Sequence, residues 1–331
     1  MSSSPALAEA SATPGPARDA AAAGGPSDDL HGRCRIQGQA VPPACLGALR
    51  DSASALGDPD ALAARLRDDG YLYLRGVLDQ DLVDAARSEV FARLASVDEL
   101  LEPAELGIFS GRSRRDELVE SRGAFWQSVS EGPALRRLTH GPAIHAVMRQ
   151  VIGQAPRPHD YMFLRAGVRG RATGLHYDYP FFTRAHDQVY TVWTAIGDVP
   201  VEQGPLFIVE GSHRFHDLIE PMIGFDVARD TSRKATLAQD ALSFTQARGC
   251  RLLTTDFGRG DLVVFGMYTL HGALENHCER QRVRLSCDVR WQAEALPVDE
   301  RYVGSPPGGT TGASYGELAG AKPLTEAWHV R

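Results

Sequence analysis

The chain has 331 residues and a formal net charge of -7, with an isoelectric point of about 5.9. This balance argues against a general nucleic-acid-binding protein, which normally presents a basic face. The sequence shows neither an apolar run of about 18 residues nor a basic region followed by an apolar stretch at its start, so we expect no membrane span, no secretory signal and a cytoplasmic location. Five widely spaced cysteines fit reduced thiols better than a disulfide framework: Cys34, Cys45, Cys250, Cys278 and Cys287.

The beginning of the chain has the composition of a tail. Its first thirty or so residues are dominated by Ala, Ser, Pro, Gly and Asp. Such a segment cannot bury enough apolar surface to offset the entropy lost on ordering. We predict a disordered tail over residues 1–48 and one folded domain over residues 49–331. The final segment contains Trp328, which suggests that this end docks back on the domain.

Helical patterns follow the tail. Asp58 before Pro59 is typical of a helix start, and Gly70 of its end. Asp79 predicts the cap of a second helix, with Leu82, Ala86, Val90 and Leu94 facing inward. A third helical pattern covers residues 134–152, and Gly141-Pro142 is expected to split it. These segments are predicted to be scaffold.

Beyond residue 160 the pattern changes to short strands. Polar or Gly-rich turns separate the predicted strands, which cover 161–168, 174–179, 189–196, 206–209, 262–265 and 282–292. Helices followed by six or more short strands predict an α+β fold with an all-β core. A sandwich or jelly roll would close such strands without exposed edges.

The segment Thr173-Gly-Leu-His-Tyr-Asp178 contains the first candidate site. On a strand, His176 and Asp178 would point to the same face because they are two residues apart. An imidazole nitrogen and a carboxylate oxygen directed at one point form two thirds of the 2-His-1-carboxylate triad that holds non-haem iron(II). The dyad alone is weak, since about one His-x-Asp pair is expected by chance in a chain of this size. His271, which follows the buried strand after Gly260-Asp261, is the candidate for the third ligand.

The last predicted strand has two different faces. Val283, Leu285, Cys287, Val289 and Trp291 alternate with polar residues, among them Arg282, Arg284 and Arg290. A solvated charged face is the commoner fate of such a strand. Alternatively, Arg282 lies in the mouth of a barrel and binds a carboxylate, because guanidinium groups pair bidentately with carboxylates and stay charged when partly buried.

Together these motifs resemble the phytanoyl-CoA dioxygenase family of iron(II)/2-oxoglutarate oxygenases over roughly residues 65–295. The order of the motifs carries the resemblance: Asp69-Gly-Tyr-Leu-Tyr-Leu-Arg-Gly76, His176-x-Asp178, Val192-Trp-Thr-Ala-Ile196, Gln203-Gly-Pro-Leu-Phe-Ile-Val-Glu-Gly-Ser-His213, Gly260-Asp261, His271-Gly272, Asn276 and Arg282.

The resemblance implies a double-stranded β-helix (a cupin-like jelly roll) flanked by the N-terminal helices. It implies that His176, Asp178 and His271 hold iron(II), that Arg282 binds the co-substrate 2-oxoglutarate, and that Trp193 lies near that co-substrate. Dioxygen is the second co-substrate. The implied reaction is oxidation of a small organic molecule with release of succinate and carbon dioxide. In related halogenases a small residue replaces the carboxylate ligand, so Asp178 favours hydroxylation.

The sequence departs from the family pattern at a few positions. Ala273 stands where the family often has a hydroxyl residue that binds the co-substrate, and Glu210 where a proline commonly precedes Gly-Ser-His. Arg284 is a neighbouring alternative to Arg282, whose spacing of 11 residues from His271 fits the family better.

Other classes of protein remain open on the residues alone. One is a cupin-like isomerase or lyase that uses the metal without 2-oxoglutarate, and another is a metal-free β-barrel that binds a small molecule. A third is an interaction protein whose tail is the working part. We expect a small-molecule substrate, no nucleic-acid or membrane partner, and a monomer or homodimer.

Overall fold

A computed structural model describes residues 30–327. Helices flank a β core and lie mostly before it in the chain. The α-helices are α1 Pro59–Asp69, α2 Gln80–Ala95, α3 Arg115–Leu118, α4 Arg122–Ser130, α5 Pro133–Thr139, α6 Pro142–Ile152, α7 Tyr179–Phe182, α8 His216–Ile219 and α9 Ala241–Arg248. No helix in this part of the chain is both long and apolar enough to cross a membrane.

The strands are short, with one exception of ten residues. They are β1 Arg35–Ile36, β2 Gln39–Ala40, β3 Leu46–Ala48, β4 Tyr71–Leu74, β5 Pro156–Pro158, β6 Phe163–Gly167, β7 Thr173–His176, β8 Val189–Ala195, β9 Leu206–Val209, β10 Leu252–Thr254, β11 Leu262–Gly266, β12 His271–Ala273 and β13 Arg284–Ala293.

Two sheets form the core. One has the order β3-β10-β9-β12-β7, and the other has the order β4-β11-β8-β13-β5, with β6 also paired to β13. Neighbours in both sheets are antiparallel, apart from β3 and β10, which are parallel. Adjacent strands are often distant in sequence, as β12 beside β7 and β13 beside β8. The α+β class with a jelly-roll core, predicted from the sequence, is confirmed.

The two sheets face each other across an apolar layer. This interior cluster contains Tyr71, Tyr73, Trp193, Ala195, Leu206, Ile208, Leu253, Phe257, Val263 and Phe265 together with Leu49 and Val199. A second, larger core lies between the sheets and the helices that cover them. β8 contributes to both cores, with Val192 in the larger core and Trp193 in the interior cluster, because side chains alternate along a strand.

Local sequence signals account for the helix ends. The Asp58 side chain accepts hydrogen bonds from the backbone N–H groups of Asp60 and Ala61, and Gly70 ends α1 in the left-handed conformation at φ 80°. Gly141-Pro142 divides the predicted helix 134–152 into α5 and α6, as expected. On α2 one prediction was wrong: Leu82 is 38% exposed, and Val83 is buried in its place.

Two predicted strands have different bounds in the structure. The strand predicted over 174–179 ends at His176, because the chain turns there into the short helix α7, which begins at Tyr179 and has Pro180 in its first turn. The strand predicted over 282–292 begins at Arg284, and every residue of β13 is buried. A solvated charged face is therefore excluded for β13.

The tail predicted over residues 1–48 does not extend through residues 30–48. Residues 1–29 lie outside the described part of the chain, but residues 30–48 are packed: Leu30, Cys34, Ile36, Val41 and Leu46 are buried, and β3 extends the first sheet beside β10. Apolar residues spaced through a Gly- and Pro-rich segment supply this packing. At the other end, Trp328 also lies outside the described residues.

Candidate metal centre

The three predicted ligands meet at one edge of the first sheet. His176 is the last residue of β7, and His271 is the first residue of β12. The two strands are antiparallel neighbours, with His271 directly opposite His176. Asp178 lies just beyond β7, where the chain enters α7. Sheet pairing thus brings Asp178 and His271 together, although 93 residues separate them along the chain.

The ligand atoms of the triad converge. One atom from each of His176, Asp178 and His271 lies within 4.8 Å of the other two. The Nε2 atoms of both histidines are 4.0 Å from Oδ1 of Asp178, and the two imidazole centroids are 4.3 Å apart. All three residues are buried.

Local hydrogen bonds orient both imidazole rings. Nδ1 of His176 lies 2.9 Å from the carbonyl oxygen of Gly174, and Nδ1 of His271 lies 2.9 Å from that of Thr269. A carbonyl accepts a proton, so each Nδ1 carries the hydrogen and each Nε2 offers a lone pair. Burial, together with the charge of His271, lowers the pKa of His176 to about 3, and burial lowers the pKa of His271 as well. Both rings are therefore neutral at pH 7.

Asp178 is held on its other oxygen. Oδ2 accepts hydrogen bonds from Oγ1 of Thr191 at 2.6 Å and from Nη2 of Arg290 at 2.8 Å. Thr191 and Arg290 are cross-strand partners on β8 and β13. Burial alone would raise the pKa of Asp178, but the charge of Arg290, the two neighbouring histidines and the Thr191 hydrogen bond together hold the pKa below its usual value. The carboxylate is ionised, with Oδ1 directed at the two histidines.

The donor set fits a divalent metal of the non-haem iron type. Two imidazole lone pairs and one carboxylate oxygen converge, and the hydrogens of both rings point away from the meeting point. Three acceptor atoms would repel one another in a buried site unless a cation lies between them. The two imidazoles are neutral and the carboxylate carries one negative charge. A divalent cation bound here would therefore keep a net charge of about +1, which other ligands would balance.

A cavity of about 930 Å³ opens onto the triad. His176 and Asp178 form part of its wall, with Phe163, Phe181 and Phe182 beside them. A large part of the remaining wall comes from residues 310–322 of the C-terminal segment. A cavity with an apolar wall and a few convergent polar groups is typical of small-molecule sites.

The structure does not place Arg282 or Trp193 on this cavity wall, within the residues that it describes. Trp193 lies in the interior cluster, with its ring 4.6 Å from that of Phe257. Arg282 precedes β13 and bridges Ile108 through its backbone. Its neighbour Arg284 is fully buried on the inner face of β13 and donates from Nη1 to the carbonyl of Gly204. Burial, with the charge of Arg165, lowers the pKa of Arg284 to about 10.

Sequence reasoning missed the residue that holds Asp178. Arg290 was recognised only as part of a polar strand face. Its guanidinium stacks on Phe163 and Phe182, at 4.5 and 4.0 Å from their ring centroids. Alternation along β13 put Arg290 on the same face as Arg284, but the pairing with Thr191 that aims it at Asp178 has no local sequence signal.

The sequence profile of the phytanoyl-CoA dioxygenase (PhyH) family matches residues 66–283. The chain belongs to the PhyH family. This confirms the resemblance found in the motifs and supports an oxygenase-type enzyme. The match includes the whole triad and ends before β13, so Arg290 and the C-terminal wall of the cavity lie outside it.

Two relatives have related names. A protein of Danio rerio named phytanoyl-CoA dioxygenase domain-containing protein 1 is 27% identical over 185 residues, which cover 45% of this chain and 63% of the relative. The chain thus matches less than two thirds of that protein's length. Dioxygenase aneA of Aspergillus aculeatus is 25% identical over 261 residues, covering 72% of this chain and 73% of the relative.

The fold is shared with a solved structure, that of the epimerase SnoN in complex with Fe³⁺, alpha ketoglutarate and nogalamycin RO. It is 22% identical, covers 82% of this chain and 94% of SnoN, and has a TM-score of 0.51. At this identity the similarity concerns the fold.

Proposed function

We propose that this PhyH-family protein is an iron(II)- and 2-oxoglutarate-dependent dioxygenase that hydroxylates a C–H bond of a small organic molecule. The overall reaction converts substrate, 2-oxoglutarate and dioxygen into hydroxylated product, succinate and carbon dioxide. One oxygen atom enters the product and the other enters succinate.

One observation carries the proposal: three buried acceptor atoms converge, and the remaining polar atoms of the same side chains are engaged elsewhere. Nδ1 of each histidine lies on a backbone carbonyl, and Oδ2 of Asp178 accepts from Thr191 and Arg290. The SnoN structure with Fe³⁺ and alpha ketoglutarate and the family match support iron and 2-oxoglutarate as cofactors. Bound iron would supply the activation of dioxygen.

The protein's own residues orient the ligands and shape the cavity. The family resemblance places Asp178 at the position that related halogenases leave to chloride, which supports hydroxylation. Phe163, Phe181 and Phe182 provide an apolar surface in the cavity wall beside the triad, where a substrate would lie. The volume of the cavity supports a substrate of small-molecule size.

We propose Arg282 as the anchor for the second carboxylate of 2-oxoglutarate. The support is its spacing from His271 and its Nε, which is buried without a hydrogen-bond partner in the described residues. Arg284 is the rival that the structure raises, because its side chain is fully buried on the inner face of β13. Arg284 already donates to the carbonyl of Gly204, which leaves fewer of its donors for a ligand.

Anaerobic absorption spectroscopy tests these assignments. Iron(II) and then 2-oxoglutarate are added, and the weak visible charge-transfer band of the chelate is followed in the wild type, His271→Ala, Arg282→Met and Arg284→Met. We expect the band in the wild type, none in His271→Ala, and a weaker 2-oxoglutarate affinity in Arg282→Met than in Arg284→Met. The reverse order would make Arg284 the anchor.

The same titration separates the alternatives. Bound metal without any band would favour a cupin-like isomerase or lyase that does not use 2-oxoglutarate. Absence of metal binding would favour a β-barrel that binds a small molecule without catalysis.

A further inference from the structure

The cationic residues around the cavity are distributed in an unusual way. The chain has only two lysines, Lys234 and Lys322, and both line the cavity above the triad, as does Arg233. Within residues 30–327 no carboxylate pairs with these three side chains at 4 Å or less, although most of the other cavity charges are paired. The remainder of the molecule is acidic, since the net charge of the whole chain is -7.

Lys234 is fixed relative to the triad through its backbone. Two residues further on, Thr236 forms a bridge with His176 itself, and the N–H of Leu237 donates to the carbonyl of Leu175. Arg233 is held by a hydrogen bond from Nη2 to the carbonyl of Pro221 and by stacking on Phe225 at 4.2 Å. The segment therefore presents its cations at the edge of the cavity while its backbone is tied to β7.

Lys322 lines the cavity from a different segment of the chain, residues 310–322. Its carbonyl accepts a hydrogen bond from Nη1 of Arg115 at 2.8 Å, and Arg115 forms a fully buried ion pair with Glu99 at 2.6 Å. The buried Arg115 thus fixes the backbone position of Lys322, while Lys322 itself is an exposed residue.

The other charges on the cavity wall are already engaged. Arg290 pairs with Asp178, and Arg165 pairs with Asp288 at 3.0 Å. The carboxylate of Glu317 accepts hydrogen bonds from the backbone of Thr310 and Thr311, from the Thr311 hydroxyl and from Tyr161. Among the charged residues of the cavity wall, Arg233, Lys234 and Lys322 are therefore the cations without a carboxylate partner within residues 30–327.

We infer that the primary substrate carries an anionic group, a carboxylate or a phosphate, which Lys234 and Lys322 bind from two different segments of the cavity wall with Arg233 beside Lys234. The apolar part of the substrate lies against the phenylalanines near the triad. This inference rests on the proposed function, since it assigns the second ligand of the same cavity. Lysine ammonium groups suit this role because they bind oxyanions as mobile point charges.

The two lysines permit a direct test. Reductive ¹³C-methylation keeps their charge and gives one NMR signal for each lysine and one for the terminal amine, which serves as an internal control. Lys234→Gln and Lys322→Gln assign the signals. The protein is loaded with zinc(II), which is diamagnetic, and with saturating 2-oxoglutarate, so that the probes report a second anion site. The probes are phenyl phosphate, phenylacetate and the neutral phenylacetamide.

We expect at least one anion to shift both lysine signals saturably, with a Kd about tenfold below that of the amide, and the terminal amine to be unaffected. Lys322→Gln should raise the Kd reported by Lys234 by roughly threefold to fivefold, as expected for one exposed charge. The control variant Arg229→Gln removes an exposed charge from the same loop as Lys234 and should leave this Kd unchanged. The stronger of the two anions distinguishes phosphate from carboxylate.

Three results would overturn the inference: equal binding of the amide, lysine shifts no larger than that of the terminal amine, or no binding of either anion at millimolar concentration. Failure of the proposed function is visible separately, as absence of the iron–2-oxoglutarate band. In that case the probe titration is repeated without 2-oxoglutarate.

Discussion

At the scale of single residues, the two oxygens of Asp178 have different tasks. Oδ1 faces both Nε2 atoms of the histidines, and Oδ2 is held by Thr191 and Arg290. Groups that orient a metal ligand contribute to metal affinity although they never touch the ion. Arg290 and Thr191 are therefore positioning residues.

The first prediction concerns these two side chains. Thr191→Val removes one hydrogen bond to Asp178 with little change in volume, and Arg290→Met removes the other together with its charge. We expect iron(II) affinity to fall by about tenfold to a hundredfold in Arg290→Met and by less in Thr191→Val. A competition titration with a chelating dye measures both.

Arg157→Met serves as the control, because Arg157 lies opposite β13 in the sheet but outside the cavity. An Arg290→Met variant that is folded by circular dichroism and binds iron as tightly as the wild type would contradict the assigned role.

At the scale of elements, the C-terminal segment is fastened by one buried ion pair. Arg115 on α3 pairs with Glu99, and both side chains are 0% exposed. Arg115 also donates to the carbonyls of Gly320, Ala321 and Lys322, and Glu99 accepts from the N–H of Leu324. This pair attaches the C-terminal segment, which forms part of the cavity wall, to the helical part of the molecule.

The second prediction follows from this attachment. Arg115→Met leaves Glu99 as an unpaired buried charge, so we expect the free energy of unfolding to fall by about 3–5 kcal/mol. We also expect faster proteolytic cleavage after residue 300. Chemical denaturation and limited proteolysis with mass spectrometry measure the two effects. The neighbouring Arg114→Met, an exposed position, should change neither, and equal behaviour of the two variants would refute the role of the ion pair.

A buried histidine couples the stability of the sheet to pH. His159, which follows β5, lies with Nε2 at 3.0 Å from Oε1 of Gln292 on β13. Gln292 donates through Nε2 to neighbouring carbonyls, so Oε1 accepts from His159. Nδ1 of His159 is buried without a partner in the described residues. Burial accordingly lowers the pKa of His159 from 6.5 to about 4.

The third prediction is a loss of stability in acid. Between pH 6.5 and pH 4 the unfolded chain binds a proton at this histidine and the folded chain does not, so the free energy of unfolding decreases as the pH falls through this window. The contribution of His159 is at most about 3 kcal/mol. His159→Gln should flatten the curve in denaturation series at several pH values. Burial likewise lowers the pKa of His140 to about 4, so part of the pH dependence should remain in His159→Gln. A slope in this variant equal to that of the wild type would contradict the prediction.

The accuracy of the sequence predictions depended on the length of each element. Caps and repeats located α1, α2 and the break between α5 and α6, because these signals are local. β5, β10 and β12 have three residues each, too few for a period of two to be recognised. The sequence prediction assigns β1, β2 and β3 to the tail, because it relies on the composition of the segment. The apolar residues Cys34 and Leu46, which are buried in the structure, count for little in that composition.

At the scale of the whole molecule, sheet pairing assembles the site. The triad could be predicted because its residue types and order resemble those of a family. The pairing of β12 with β7 and of β13 with β8 decides that Arg290 reaches Asp178, and strand register over such separations leaves no local trace in the sequence. The cavity wall is likewise a tertiary feature, since residues 231–236 and 310–322 meet there only in the fold.

The distribution of charge is also a property of the whole molecule. The chain is acidic, and its only two lysines both line the cavity. Opposite charge in a cleft raises the local concentration of a charged ligand, and the effect weakens with ionic strength. If the substrate is an anion, kcat/KM should therefore decrease as salt is raised from about 0.05 to 0.5 M, while kcat changes little.

The measurement that tests the central claim most directly is succinate formation from 2-oxoglutarate in the presence of iron(II) and dioxygen, in the wild type and in Asp178→Ala. We predict dioxygen-dependent succinate formation by the wild type, released with an equal amount of carbon dioxide, and none by Asp178→Ala. Asp198→Ala, at an exposed position, should retain the wild-type rate. Wild-type turnover by a folded Asp178→Ala variant, or a wild type that binds iron and 2-oxoglutarate yet forms no succinate, would contradict the account.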